Sequence, residues 1–288
     1  MFVIIGAALV LFSMLGGFLM AGGNILTLIQ PSEFVVIGGV AIGSLITANP
    51  IVYIKKIIGS FGTVLKGPSV KKADFLDLMK MLYELFQYAK REGLIALEPH
   101  VESPTTSNII SKYPSFLKNH HATEFLCDTL KVILSGGIPA HDLEDLMEMD
   151  IEGLHEEEHI VVHSIVTMGD ALPGIGIVAA VLGIIVTMGS INDGAEAVGH
   201  HVAAALVGTF LGVLMSYGFV QPIARNLELT NALNAKYMSA LKAALLSFAK
   251  GAPASVAVEY CRRAIDPENR PTFAESEEAV KSAGSMGG

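Results

Sequence analysis

The chain has 288 residues, of which 51% are hydrophobic, and a mean hydropathy of +0.53. That is too apolar for an ordinary soluble enzyme of this length. The net charge of −9 excludes the broad basic face that nucleic acid requires.

Four long apolar runs stand out, about residues 2–21, 34–54, 171–189 and 202–220. Each has the length that spans a hydrocarbon core of about 30 Å as a helix. The first run has no basic residue before it and is long for a signal sequence, so it is expected to remain as an uncleaved span. Residues 22–33 and 190–201 contain no Lys or Arg. All nineteen basic residues fall between Lys55 and Lys131 or between Arg225 and Lys281. Basic flanks stay on the cytoplasmic side, which places both termini and the middle region inside and leaves two short loops outside. Cys127 and Cys261 then lie in a reducing compartment and are expected to be free thiols.

In chain order, the first two spans make a hairpin, with Pro31 and Ser32 ahead of the second span and Pro50 near its inner end. Asp74 can cap a helix whose apolar face is Phe75, Leu78, Leu82, Leu85, Phe86 and Ala89, a spacing close to 3.6; Gly93 ends it. A second amphipathic helix covers 122–135, with Phe125, Leu126, Thr129, Leu130 and Ile133 on one side, and stops at Gly136, Gly137 and Pro139. A third runs from Ala140 to about Met168 and feeds into the third span; its first half is acidic, the mark of a solvated face. The tail carries one more helix over 225–250, and 273–288 reads as disordered. The expected architecture is therefore all-α, a polytopic membrane protein with four transmembrane helices and a helical cytoplasmic domain. Its segments are a hairpin at 1–54, a cytoplasmic domain at 55–168, a second hairpin at 169–223 and a helical tail at 224–288.

Several residues invite a chemical reading. His155, Glu156 and His159 match the H-E-x-x-H zinc pattern, and His163 continues the row. The match lies in a Glu-rich stretch where it arises easily by chance, so neither a metal nor a catalytic site is expected there. Gly39 with Gly43, Gly208 with Gly212, and Gly174, Gly176 and Gly183 mark faces where helices can approach closely in lipid. Pro173 starts the third span from inside and Pro222 ends the fourth on the same side, which suggests either tolerated span-end prolines or a paired bend. None of the four runs contains Asp, Glu, Lys or Arg, and His200 and His201 stand only at the outer edge. Ion transport needs a coordinating group at depth. A partner would have to bring the carboxylate, with Thr209 and Ser216 as the polar groups on the fourth span.

Three segments carry a resemblance: 169–180 (GDALPGIGIVAA), 207–212 (VGTFLG) and 217–222 (YGFVQP), supported by Gly22-Gly23-Asn24, Gln30-Pro31-Ser32-Glu33, Ala257-Val258-Glu259 and Arg270-Pro271-Thr272-Phe273. Over about residues 1–275 the chain resembles the MotA family, the larger subunit of the bacterial flagellar stator. The resemblance implies an inner-membrane, multi-pass subunit, not an enzyme, that assembles in a pentameric ring around a dimer of MotB. It implies a proton-conducting channel that uses the proton motive force, without a cofactor, to turn the rotor protein FliG. Within the resemblance, Pro173 and Pro222 match residues that couple ion flow to movement, and Thr209 matches a pore-lining position. Lys90 or Arg91, together with Glu98, match the rotor-facing charges, and Asp150 matches an acidic position. Sodium-type relatives carry Thr where this chain has Ala180, which has no oxygen for a dehydrating Na⁺, so protons are expected. The competing readings are an ExbB- or TolQ-like energiser of outer-membrane processes, which typically has three spans, and a membrane metallohydrolase built on His155 and His159.

Overall fold

The computed structural model describes residues 2–67, 70–189, 192 and 194–285. No strand occurs among the described residues. The helices are α1 (Phe2–Met20), α2 (Pro31–Ala48), α3 (Ile51–Lys66), α4 (Lys72–Glu92), α5 (Glu98–Glu102), α6 (Pro114–Lys118), α7 (His120–Ser135) and α8 (Ala140–Gly189). They continue with α9 (Ala195–Met215), α10 (Gln221–Ala249), α11 (Ala254–Ala264) and α12 (Phe273–Ser285). Four helical stretches are long and apolar enough to cross a membrane: Phe2–Met20, Ile25–Ala48, Ala140–Gly189 and His201–Ala249. The chain divides into two compact units, one of Met1–Gly67 with Glu157–Thr230, the other of Pro68–Glu156 with Asn231–Gly288.

The first unit holds the apolar helices. None of the side chains of α1 is buried within the chain, and Phe12 and Met20 are 75% and 92% exposed. In lipid such a surface carries no penalty, because hydrocarbon solvates it as well as another helix does. Association must then come from close packing, and α8 and α9 achieve it through small residues. A Cβ on Gly176 would lie 2.8 Å from the Gly208 carbonyl oxygen and 3.1 Å from Gly212 Cα. One on Gly212 would lie 2.6 Å from the Leu172 carbonyl oxygen, and one on Gly183 would lie 2.8 Å from Ala205 Cβ. The glycine spacing in these two spans thus serves packing inside the chain. Gly39, Gly43 and Gly174 have open space around them within the chain. Ile37 and Ala41 of α2 close the cluster against Leu172, Ile175 and Ala179 of α8 and Val207 and Leu211 of α9.

The second apolar run, expected as one span over 34–54, is cut differently. The α2 helix starts at Pro31, a residue suited to a first helical turn, and stops at Ala48. Asn49 precedes Pro50 and is extended (φ −127°, ψ 137°), as the proline ring requires of its neighbour. The chain then restarts as α3, an amphipathic helix whose Ile57 and Val64 are buried with Val161, Val162 and Ile165 of α8 and Ala224 and Leu227 of α10. Lys56 of α3 pairs with Glu157 on the surface, and Ser164 Oγ donates to Asn49 Oδ1 at 2.7 Å.

The second unit has a water-driven core. All six residues of the expected α4 face are buried, and Phe125, Leu126, Thr129 and Leu130 of α7 are buried as well. Tyr237, Leu241, Ala244 and Leu245 of α10 and Ala257, Val258 and Cys261 of α11 complete it. Phe86 stacks on Phe248 with ring centroids 4.2 Å apart. Asp74 acts from the third residue of α4, where its carboxylate accepts the Lys71 backbone N–H at 2.8 Å. Cys127 and Cys261 are free and buried, and burial pushes their thiols up to about 11 and about 12.

The tail departs from the expectation of disorder, since residues 273–285 form α12, which packs on α4. Its start is fixed by a reciprocal cap: the Thr272 backbone N–H donates to Glu275 Oε2 at 2.7 Å, and the Glu275 N–H donates to Thr272 Oγ1 at 3.2 Å. Lys72 Nζ reaches Glu275 Oε1 at 2.8 Å, and Ser276 and Ala279 are buried. The small, polar composition of the segment hid a helix whose buried side packs on α4. Residues 286–288, also expected to be disordered, lie outside the described residues.

The Lys72 hydrogen bond, with the Thr272 N–H, holds the Glu275 carboxyl down to about 2. A depressed carboxyl contributes stability above its ordinary pKa and loses it as pH falls toward the folded value. Glu275→Gln should therefore speed amide exchange across α12 at neutral pH, and the difference from the wild type should vanish on acidification from pH 4.5 to about 2. In the membrane unit, Gly212→Ala should cost about 1–3 kcal/mol of packing energy, because backbone of α8 blocks the new carbon. Quantitative immunoblotting of membranes should show a several-fold fall for this variant and none for Gly174→Ala.

Candidate functional site

Two sequence-selected positions of the membrane unit, Ala180 and Thr209, fall on the α8–α9 contact, and a third, Ser216, lies in the π turn after α9. Ala180 of α8 is buried, and its backbone N lies 3.3 Å from the point a Cβ on Gly208 would occupy. Thr209, half-buried on α9, lies with its Cα 3.3 Å from the equivalent point on Gly176. Ser216 is fully buried, and its hydroxyl has no hydrogen-bond partner among the described residues. The side chain of His200 lies outside the described residues.

The two prolines sit in different backbone settings, and Pro173 is not in the first turn of a helix. That residue lies well inside the single 50-residue helix α8. It has no N–H for the carbonyl of Gly169 and so opens the helical ladder there. Pro222 is the second residue of α10 and follows a π turn over Ser216–Val220, in which the Gln221 N–H donates to the Ser216 carbonyl five residues back. A wide turn before a proline is a point where a helix can change direction. The two places adjoin. Gln221 Nε2 donates to Asp170 Oδ1 at 2.6 Å, one residue from Pro222 and three from Pro173. A Cβ on Gly169 would meet Val220 Cγ1 at 3.1 Å and Gln221 Nε2 at 3.2 Å. Asp170 and Gln221 had no role in the sequence reading, although both lie within its motifs. Their pairing across 51 residues left no local signal.

One carboxylate that the sequence placed in the outer loop belongs to the second apolar helix. Because α2 begins at Pro31, Glu33 lies in its first turn, inside the membrane unit and only 6% exposed. Its Oε2 touches the Gly208 position and has no hydrogen-bond partner among the described residues. Counting the second span from Phe34 left this residue in the outer loop.

In the second unit, Lys90 stands exposed in the last turn of α4 and Glu98 exposed at the start of α5. Between them Gly93, at φ +94°, turns the chain into a 3-10 segment over Leu94–Leu97. Lys90 and Glu98 therefore flank one turn. Arg91 Nε pairs with Glu92 Oε1 at 2.9 Å, which leaves Lys90 as the basic residue at this turn with no ion pair among the described residues. Asp150 is exposed on α8 of the same unit. Arg262 and Arg263 hydrogen-bond Glu259 and hold its carboxyl down to about 2, and Arg262 Nη1 also donates to the Pro271 carbonyl at 3.2 Å, which ties α11 to the segment before α12. His159 and His163 stack with ring centroids 6.0 Å apart. No three His, Cys, Asp or Glu side chains converge as metal ligands among the described residues.

Two family models match the chain: the motility protein A N-terminal domain over residues 4–93, and the MotA/TolQ/ExbB proton channel family over residues 117–240. The motility protein A of Escherichia coli K12 is 37% identical over 281 residues, covering 98% of this chain and 95% of the relative. The C. jejuni MotAB structure shares the fold, with a TM-score of 0.77 and 23% identity over 94% of this chain and 98% of that one. The flagellar MotAB stator complex of Bacillus subtilis superposes with a TM-score of 0.72 at 25% identity, over 89% of this chain and 92% of that one. With its four apolar helices, the chain is a multi-pass membrane protein and belongs to the motility protein A members of the MotA/TolQ/ExbB proton channel family.

Proposed function

We propose that this chain is a stator subunit of the flagellar motor that, with a MotB-like partner, forms a proton-conducting channel and converts ion flow into torque on FliG. One observation carries the reading: the chain matches a motility protein A from end to end, at 37% identity over 95% of that protein. The match of residues 4–93 to a domain specific to motility protein A favours this over the ExbB- or TolQ-like alternative. The partner is a single-span, peptidoglycan-anchored subunit that brings an essential carboxylate. The subunits form a pentameric ring in the inner membrane with both termini in the cytoplasm. The machine needs no cofactor and catalyses no covalent chemistry. Its energy source is the proton gradient, in keeping with an Ala rather than a hydroxyl residue at position 180.

The coupling element is the pair of proline sites, the opened ladder at Pro173 and the π turn before Pro222. Ion flow past the α8–α9 face shifts the balance between two arrangements of the helices at Pro173 and Pro222, and the Asp170–Gln221 hydrogen bond keeps them in step. Lys90 and Glu98 meet complementary charges on the rotor, and Arg91 and Asp150 contribute to the same charge pattern. Exposed pairs of this kind contribute little energy each, so they set alignment more than affinity.

Deleting the gene should leave cells with normal filaments that do not rotate. Cells that swim but have a leaky envelope or failed iron uptake would move the assignment to the energiser class. Pro173→Ala should accumulate and assemble as the wild type does yet lose most torque in a tethered-cell assay; its disappearance from the membrane would make Pro173 a structural residue. Glu98→Lys should slow swimming mildly and be partly rescued by an opposite reversal on the rotor. No rescue by any rotor reversal would remove Glu98 from the interface.

A further inference from the structure

The start of α7 goes against the charge preference of a helix N-terminus. The first N–H groups of a helix carry a partial positive charge, so acids are favoured there and cations are not. The first turn of α7 has no acidic residue and begins with His120 and His121. Lys118, two residues before it at the end of α6, is exposed and has no ion pair among the described residues. The cap is incomplete as well. Asn119 Oδ1 accepts the Ala122 N–H at 3.2 Å, and the Asn119 carbonyl accepts the Thr123 N–H at 3.0 Å. The N–H groups of His120 and His121 have no partner among the described residues. All of these residues but Ala122 and Thr123 line a cavity of about 500 Å³ within the second unit, together with Asp74 of α4 and Tyr237 of α10. Tyr237 is only 3% exposed, and its ring packs on Phe75 with centroids 5.3 Å apart. Its hydroxyl has no hydrogen-bond partner among the described residues, although a phenylalanine would fill the same place without an unpaired donor. Asp74 Oδ2 accepts the Lys71 N–H at 2.8 Å, and Oδ1 has no partner among the described residues.

An anion at the start of α7 would satisfy both free N–H groups, the Lys118 ammonium and the positive end of the helix at once. Donors arrive there from α6, α7 and α10, a spread that suits the three acceptor oxygens of a phosphate better than the flat pair of a carboxylate. Asp74 asks for the opposite chemistry, a donor, and would repel a bare anion. We propose that this cavity binds a small phosphate-bearing ligand that also carries an amino or hydroxyl group. The N–H groups of His120 and His121, the Lys118 ammonium and the Tyr237 hydroxyl hold the phosphate, and the ligand's own donor reaches Asp74. The volume lies in the range of ordinary small-molecule sites, about 300–1,000 Å³. A free phosphomonoester and a lipid headgroup with an amine share this chemistry. No bond is made or broken, and the bound ligand links α4, α7 and α10, so its occupancy stabilises the second unit.

The test uses the full-length chain, purified in detergent and dialysed into phosphate-free buffer. O-Phosphoethanolamine, which has both a phosphate and an amine, and inorganic phosphate are titrated by calorimetry. O-Phosphoethanolamine should saturate one site per chain and bind about tenfold more tightly than inorganic phosphate, because its amine adds a charge-assisted hydrogen bond to Asp74. Lys118→Gln should weaken both probes about tenfold and leave the melting temperature of the unliganded protein unchanged, since the exposed side chain has no ion pair to lose. Tyr237→Phe keeps the ring on Phe75 and should weaken both probes about fivefold. Dihexanoyl phosphatidylethanolamine, held below its micelle concentration, separates the two sources. Tighter binding than O-phosphoethanolamine assigns the site to a lipid headgroup, and weaker binding assigns it to a free phosphomonoester. Absence of saturable binding by all three probes would overturn the proposal. So would binding that neither Lys118→Gln nor Tyr237→Phe weakens, which would place the anion elsewhere on the chain.

Discussion

Everything in the membrane unit depends on how closely α8 approaches α9. With hydrocarbon on the outside, an apolar side chain gains nothing by leaving lipid for protein, so two helices hold together only through the quality of their contact. Gly176, Gly208 and Gly212 bring backbone against backbone, and Gly183 lets Ala205 do the same further along. On these two helices α2 packs with Ile37 and Ala41 against Leu172, Ile175, Ala179, Val207 and Leu211. Glu33 then falls on Gly208 as a consequence of the register of α2. The same contact that provides cohesion thus creates the polar niche.

The two proline sites show the complementary device. At the Leu172 end of the contact where small residues lock α8 to α9, Pro173 opens the α8 ladder, and past the end of α9 the π turn before Pro222 widens it. A helix with a gap in its ladder bends at lower cost than an intact one. Two such gaps placed side by side, tied by Asp170 and Gln221, allow a change of direction in one helix to be matched in the other. A tight section followed by a compliant one is the arrangement needed to pass a small local event into a larger displacement.

The sequence revealed the parts whose signal is local. The α4 face from Phe75 to Ala89 follows helical periodicity and is buried as that periodicity requires. The four spans are legible because twenty apolar residues in a row have few other uses. The glycines of α8 and α9 were legible as packing residues but not by partner, and Gly39 and Gly43 carry the same spacing without a contact inside the chain. What stayed hidden depended on boundaries and on distant neighbours. A shift of three residues in the start of α2, from Phe34 to Pro31, moved Glu33 from loop to interior. The α12 helix was hidden because its composition is that of a solvated tail, and the surface it packs on, mainly α4, is distant in sequence. Asp170 and Gln221 stand in the motifs that carried the family resemblance, yet their pairing is a fact of three dimensions.

The two units follow opposite rules for what a core can tolerate. In the second, Phe75, Phe86, Phe116 and Phe125 are essentially fully buried, and cohesion comes from apolar area withdrawn from water. There, truncating an aromatic side chain costs about 3–5 kcal/mol, while a surface change costs little. In the first, Leu172, Ile175, Val207 and Leu211 are buried beside the glycines, and the change peculiar to this contact is the addition of a single carbon at Gly176, Gly208 or Gly212, which backbone or a buried side chain blocks. Gly208 is under both constraints, since that carbon would meet α8 and also displace the Glu33 carboxylate. A position bound at once by packing and by chemistry has the narrowest choice of residue, and glycine is the one side chain that satisfies both.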